Sequence, residues 1–167
     1  MPKMTIAEMK AQMPPRPVEL DRLEAFVGKW ESEGTAKFEF LDQPLKMTGN
    51  MAVEWSGDRW YLIWREKGTM QEFDPMESMS TWTYDVKAKK YRAAWGGSMG
   101  MTGIGDAKYD VDDNVWRMTA TSYGPWGKSC MKGTMRFVNP DTMEWSMTEH
   151  MGLMKIGEMS GTARRVK

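Results

Sequence analysis

The sequence predicts an all-β domain in which about ten antiparallel strands close into an up-and-down barrel behind a short N-terminal helical segment. Three observations support this fold class. Apolar and polar residues alternate with a period of two from residue 30 to near the C-terminus, which is typical of half-buried strands. Turn-forming residues separate these stretches at short intervals. No helical segment of about ten residues lies between them, which disfavours a parallel α/β sheet.

Residues 1–28 are predicted to form a helical plug over one end of the domain, and residues 29–167 to form the barrel. A capping-box pattern begins the first helix and a proline pair ends it. A second helix is predicted to follow, with Leu20, Leu23 and Val27 on one apolar stripe. Both helices belong to the same single domain as the barrel.

Ten segments carry the strand pattern, and turns connect each to the next. They are residues 30–40, 45–55, 59–67, 80–85, 91–95, 103–109, 115–123, 130–138, 142–151 and 155–166. The third segment is apolar on both faces, which predicts that both faces are covered. Closure into a barrel removes the exposed edges that so many antiparallel strands would otherwise leave. A sandwich of two sheets is the structural alternative.

The charge and the rare residues exclude several classes of function. Lys+Arg and Asp+Glu both number 23, so the chain lacks the basic surface that nucleic acids or anionic membranes attract, and neither is predicted as a partner. Cys130 is the lone cysteine and residues 1–5 show no apolar signal core, which together predict the cytoplasm. A single histidine disfavours a histidine-based enzyme and a zinc site, so no metal and no cofactor are predicted.

The chain contains 19 methionines and 9 tryptophans, many of them at even spacing within strands. Even spacing puts each set on one face. If that face points inward, thioethers and indoles line the lumen, and such a wall adapts to apolar guests; a plain methionine-filled core is the alternative. The predicted ligand-binding residues are Met47, Met51, Trp64, Trp82, Trp95, Met118, Met131, Met135, Trp145 and Met147, with Tyr84 and Arg65 as polar anchors. Arg65 would favour a carboxylate on the ligand.

Two short motifs mark the start of the first strand: Phe26-Val27-Gly28-Lys29-Trp30 and Glu33-Gly34-Thr35. They resemble the entry to the first strand of the calycins, in which a Gly-x-Trp follows a short N-terminal helix. Lipocalins also have an arginine on a late strand that packs across this tryptophan. The resemblance therefore implies a structural pair of Trp30 with Arg164 or Arg165, of which Arg165 is our candidate, and cation–π attraction is the physical basis of such a pair.

Four pieces of the chain form a recognisable series: the Phe26–Thr35 region, the Trp82-Thr83-Tyr84-Asp85 and Lys89-Lys90-Tyr91 hairpin, the Ser98-Met99-Gly100 loop, and Asp141-Thr142 before a strand that ends in Glu149. In their order and spacing, from about residue 20 to the C-terminus, the chain resembles a bacterial family known as domain of unknown function 1579. The resemblance implies a lipocalin-like barrel. Because the family has no settled activity, it implies no catalytic residues.

The favoured function is the binding of a small hydrophobic or aromatic molecule in the lumen. One alternative is a small barrel enzyme, an isomerase or hydrolase that uses a lumen carboxylate and a tyrosine. Glu66 and Glu149 interrupt apolar stripes and would have raised pKa values if buried, although both lie near strand ends where water can reach them. The other alternative is a filled-barrel interaction module that forms a homodimer through the apolar outer residues Tyr61 and Ile63.

Overall fold

The computed structural model, which describes residues 3–73 and 75–167, shows ten strands in one closed antiparallel barrel. The strands are β1 (Gly28–Phe38), β2 (Leu45–Trp55), β3 (Leu62–Met70), β4 (Met76–Asp85), β5 (Lys90–Gly97), β6 (Thr102–Asp110), β7 (Val115–Gly124), β8 (Gly127–Asn139), β9 (Thr142–Met151) and β10 (Met154–Arg165). Each strand pairs with its neighbours in sequence, and β1 pairs with β10 to close the sheet. The predicted up-and-down barrel is confirmed.

The third strand differs from its prediction at its first residues. It begins at Leu62 rather than at residue 59, because the preceding residues form a tight turn. In this turn the Ser56 N–H donates to the Tyr61 carbonyl at 2.8 Å, and Arg59 adopts a φ of 58°. Tyr61, in the turn, is 40% exposed and Ile63, on the outer face of the strand, is half-buried, so the outer side is covered only in part.

A 3₁₀ helix, Val18–Phe26, packs against one end of the barrel and is called the plug helix below. Its buried residues are Leu20, Leu23 and Phe26. Their spacing of three matches the three residues per turn of a 3₁₀ helix, so the buried stripe ends in Phe26 rather than in the predicted Val27. The preceding helix, α1 (Ile6–Ala11), has the predicted capping box and buries none of its residues. The first two residues of the predicted plug lie outside the described residues.

The hydrophobic core is concentrated at the end that the plug helix covers. Phe26 is 1% exposed and packs against four aromatic rings: Trp64 at 5.5 Å, Trp82 at 6.4 Å, Trp116 at 5.3 Å and Phe137 at 5.1 Å between centroids. Burial raises the pKa of Tyr91 to about 12, and its hydroxyl donates to the Glu19 carbonyl at 2.7 Å. The plug helix is therefore an integral part of the core.

In the described part of the chain, no helix has the length and hydropathy needed to cross a membrane.

Arg165 joins the end of β10 to the start of β1. Its guanidinium carbon lies 4.2 Å from the centroid of the Trp30 ring, and the Trp30 indole N–H donates to the Phe26 carbonyl at 2.9 Å. The guanidinium also donates to the carbonyls of Ala25 (3.0 Å), Val27 and Pro140 (3.1 Å) and to the Asp141 carboxylate (3.2 Å). Arg164 points outward and pairs with Glu33. Of the two arginines, the structure thus places Arg165 across Trp30.

Candidate functional site

The lumen contains a cavity of 330 Å³ on the side of the core away from the plug helix. Its volume lies at the lower end of the range for small-molecule sites. Ten of the residues predicted to bind a ligand line it: Met47, Met51, Trp64, Trp82, Trp95, Met118, Met131, Met135, Trp145 and Met147. The period-two pattern located them because residues two apart in a strand share a face. The barrel is hollow here, which counts against the filled-barrel interaction module.

The two predicted polar anchors lie elsewhere. Arg65 pairs across the ladders with Ala52 and Met79, which puts it on the outer face, where it is exposed and forms an ion pair with Glu54. Its prediction as a lumen residue is wrong because it has the opposite parity to Trp64. Tyr84 has the correct parity but lies at the plug end, where its ring packs on Tyr91 at 5.0 Å. It therefore belongs to the core and does not line the cavity.

Two indoles pack directly against glycine backbones, in space that a side chain at either glycine would fill. A Cβ at Gly161 would lie 2.7 Å from Cζ2 of Trp145, and a Cβ at Gly103 would overlap the ring of Trp95. The Trp145 N–H donates to the Ser32 hydroxyl at 3.2 Å, so its polar atom is satisfied within the wall. Trp64 and Trp82 stack at 6.3 Å between centroids with an interplanar angle of 30°. The cavity thus has broad aromatic walls.

Sequence reasoning missed several residues of the wall. They are mainly small or polar and include Ser32, Ser78, Ser80, Ala93, Ala120, Met143 and Met159. Ser78 was missed because β4 begins at Met76 rather than at residue 80. Extending the alternation backwards from Trp82 through Ser80 would have found it, since these residues share a face.

Glu66 lines the same cavity, so this carboxylate faces the lumen. Its strand partners are Met51 on β2 and Ser78 on β4. Its Oε1 lies beside Gly49, 3.4 Å from the point where a Cβ at that glycine would be. Burial raises the pKa of Glu66 above its ordinary value, because an apolar wall disfavours the charged form. Glu66 lies in the middle of β3 rather than near a strand end as predicted, and it is half-buried.

Glu149, the other candidate acid, has a hydrogen-bond partner. The hydroxyl of the buried Ser129 donates to its carboxylate. Glu149 pairs with Met131 and Gly157 across the ladders, close to the end of β9. A carboxylate with a donor is less costly to hold in a barrel than one without. The two acids are therefore chemically different, and Glu66 is the one that belongs to the cavity.

The raised pKa of Glu66 predicts a pH-dependent effect of Glu66→Gln on stability. An acid whose folded-state pKa lies above its unfolded value of 4.5 binds more protons when folded, so folding stability falls as pH rises through that window. Glutamine removes this loss. We therefore expect Glu66→Gln to match the wild type in urea unfolding at about pH 4 and to exceed it at about pH 7. Glu77→Gln, at an exposed position, is the control. If it raises the free energy of unfolding at neutral pH as much as Glu66→Gln does, the assignment of Glu66 as a desolvated acid is wrong.

The end of the barrel opposite the plug helix is surrounded by five hairpins. Among the described residues, the only helical turn at this end is Ser98–Gly100. Each of the five connections exposes at least one large apolar side chain: Phe40, Phe73, Met99, Trp126 and Leu153. Exposed apolar groups gathered at one place are typical of ligand-binding or interaction surfaces. This end is called the open end below.

The fold and the cavity together define a ten-stranded antiparallel barrel of the lipocalin-like kind with a hollow, apolar lumen. The family model described as "Protein of unknown function (DUF1579)" matches residues 18–163. The chain belongs to this family, which confirms the resemblance found in its motifs. Among curated proteins, none matches the chain.

Solved structures of similar fold extend over nearly the whole chain. The crystal structure of Rv2717c from M. tuberculosis has a TM-score of 0.71 and 14% sequence identity and covers 92% of this chain and 100% of that chain. The S-type phycobiliprotein lyase CPES from Guillardia theta has a TM-score of 0.64 and 11% identity and covers 98% and 99% of the two chains. At these identities the likeness is one of fold.

Proposed function

We propose that this protein binds a small, largely apolar aromatic molecule in the barrel lumen. The cavity of 330 Å³ is the observation that carries the proposal. Protein interiors are packed as densely as organic crystals and rarely contain voids larger than a water molecule. This apolar space, partly open to solvent, is left unfilled beside a well-packed core, which is typical of a small-molecule site.

The chemistry of the wall supports an aromatic guest. Trp64, Trp82, Trp95 and Trp145 present indole rings to the cavity, and aromatic rings pack favourably in offset or edge-on arrangements. The methionines between them have flexible, polarizable thioethers that adapt to irregular shapes. The open end is the proposed entrance, since the plug helix covers the other end. One protein of similar fold is a phycobiliprotein lyase by name.

Calorimetric titration with naphthylmethanol, a neutral aromatic alcohol, tests the proposal. We expect one site with a dissociation constant of about 100 μM, the affinity that a ligand of this size attains in an apolar pocket. The variant Ala93→Phe adds a ring to a cavity-lining position and should weaken binding at least about tenfold by occupying the guest's space.

Ala94→Phe is the matched control, because Ala94 is the next residue on the same strand and is exposed on the outer face. It should bind naphthylmethanol as the wild type does. Equal weakening by the two variants, or no binding to the wild-type protein, would contradict the lumen as the site. Thermal unfolding of each variant checks that both retain the fold.

A further inference from the structure

We infer that the lumen selects an organic cation, an aromatic molecule that carries a protonated amine and places that amine on Glu66. The inference deepens the proposed function and rests on it. The geometry that carries it is the carboxylate of Glu66, set into a cavity wall of indoles, thioethers and serine hydroxyls. The other carboxylate that borders this cavity, Asp106, already forms ion pairs with Lys90 and Arg92.

No partner from the described residues satisfies Glu66. Its carboxylate accepts no hydrogen bond and forms no ion pair within residues 3–73 and 75–167, and burial is the cause of its raised pKa. Glu66 is half-buried, and taking a carboxylate even partly out of water without giving it a partner is costly. A positively charged ligand with N–H donors removes this cost, since charge-assisted hydrogen bonds are stronger than hydrogen bonds between neutral groups.

The charged residues around Glu66 point away from the lumen. On β3 itself, Arg65 pairs with Glu54 and Lys67 with Glu77, all on exposed side chains. On the flanking strands, Lys46 is exposed on β2 and Asp85 pairs with Arg92 outside the barrel. The other inward acid, Glu149, is bonded to Ser129. No lysine, arginine or histidine lines the cavity in the part of the chain that the structure describes.

The rest of the wall also favours a positive charge. Indole faces attract cations through their ring quadrupole, and four tryptophans line the cavity. The hydroxyls of Ser78 and Ser80, which line the cavity on β4 beside Glu66, can accept further N–H groups. An anionic ligand would meet a carboxylate and find no cation. The structure thus reverses the carboxylate preference that the sequence suggested through Arg65.

Three probes with the same naphthyl body test the charge preference by calorimetry at about pH 7: naphthylmethylamine, naphthylmethanol and naphthoate. We expect the amine to bind at least about tenfold more tightly than the alcohol, and the carboxylate to bind more weakly than both. In Glu66→Gln the amine should lose this advantage over the alcohol, so that the ratio of the two affinities falls to within about twofold of one.

Glu149→Gln is the matched control, because it removes the same charge from the other inward acid. It should leave the preference for the amine intact. A measurement on the wild type alone gives a second readout. Because an ammonium group favours the ionised carboxylate, amine binding at about pH 5 should release protons, detected as a dependence of the binding heat on the buffer. The alcohol should release none.

The outcomes separate the inference from the proposed function. If the alcohol binds and the amine binds no more tightly, the cation preference is wrong and the lumen site stands. The cation preference is equally wrong if naphthoate binds most tightly, or if Glu66→Gln keeps the full preference for the amine. If none of the three probes binds the wild-type protein, both proposals fail.

Discussion

Replacing Phe26 with alanine is expected to lower the free energy of unfolding by about 3–5 kcal/mol, the cost typical of deleting a buried aromatic ring. Phe26 is 1% exposed and is the residue through which the plug helix contacts the aromatic core, including Trp64 and Trp116. The loss combines the transfer of the ring to water with the cavity it leaves. Urea unfolding followed by tryptophan fluorescence measures it.

Phe73→Ala is the control for this variant, because Phe73 is 47% exposed in the turn before β4. It should change the free energy of unfolding by no more than about 0.5 kcal/mol. If Phe26→Ala costs less than about 1 kcal/mol, the plug helix is not part of the core that holds the barrel.

The void left by Phe26 adjoins Trp64 and Trp82, which also line the lumen. The variant should therefore bind naphthylmethanol at least as well as the wild type, wherever it remains folded.

Replacing Arg165 with alanine is expected to lower the free energy of unfolding by about 2–3 kcal/mol. The guanidinium stacks on Trp30 at 4.2 Å and donates to three backbone carbonyls at the ends of the plug helix and of the β8–β9 turn. Alanine leaves these carbonyls without their donor and uncovers the indole. Hydrogen bonds to a charged group are worth more than neutral ones, which accounts for the size of the effect.

The adjacent Arg164 provides the control. Its side chain is 61% exposed and pairs with Glu33, itself 64% exposed, and exposed ion pairs contribute about 0–1 kcal/mol. Arg164→Ala should therefore have a much smaller effect in the same urea experiment. Arg165→Lys should recover less than half of the loss, because an ammonium group lacks the planar fork that reaches several carbonyls at once. Equal effects of the two alanine variants would overturn the special role of Arg165.

Even spacing along the strands was enough to predict the methionines and tryptophans of the cavity wall that the site shares with our prediction, because a strand presents alternate side chains to opposite faces whatever its neighbours are. Met47 and Met51 on β2 and Met131 and Met135 on β8 were found in this way. The same alternation puts Arg65 on the outer face, since its neighbour Trp64 faces inward, so its assignment to the lumen contradicted the pattern. Alternation was correct but insufficient at Tyr84, whose depth along the barrel places it in the core.

Depth along the barrel axis depends on contacts between segments far apart in sequence. The plug helix determines which end is closed, and it does so through Leu20, Leu23 and Phe26. A 3₁₀ rather than an α-helical turn puts Phe26 into the core, and local sequence signals do not distinguish the two well over nine residues. The gathering of exposed apolar side chains at the open end arises in the same way, since each lies in a different hairpin.

By itself, the sequence determined the all-β class, the order of the strands, the family resemblance and the face of each strand that carries methionine and tryptophan. These features are local, because alternation, turn residues and short motifs each involve residues that are close together in the sequence. Only the tertiary structure decided that the lumen stays hollow and that glycine backbones make room for Trp95 and Trp145. It also decided that Glu66 faces a cavity in which none of the described lining residues is cationic. These features depend on packing between strands all around the barrel. The volume of the cavity and the desolvation of Glu66 are each determined by many residues that are far apart in sequence.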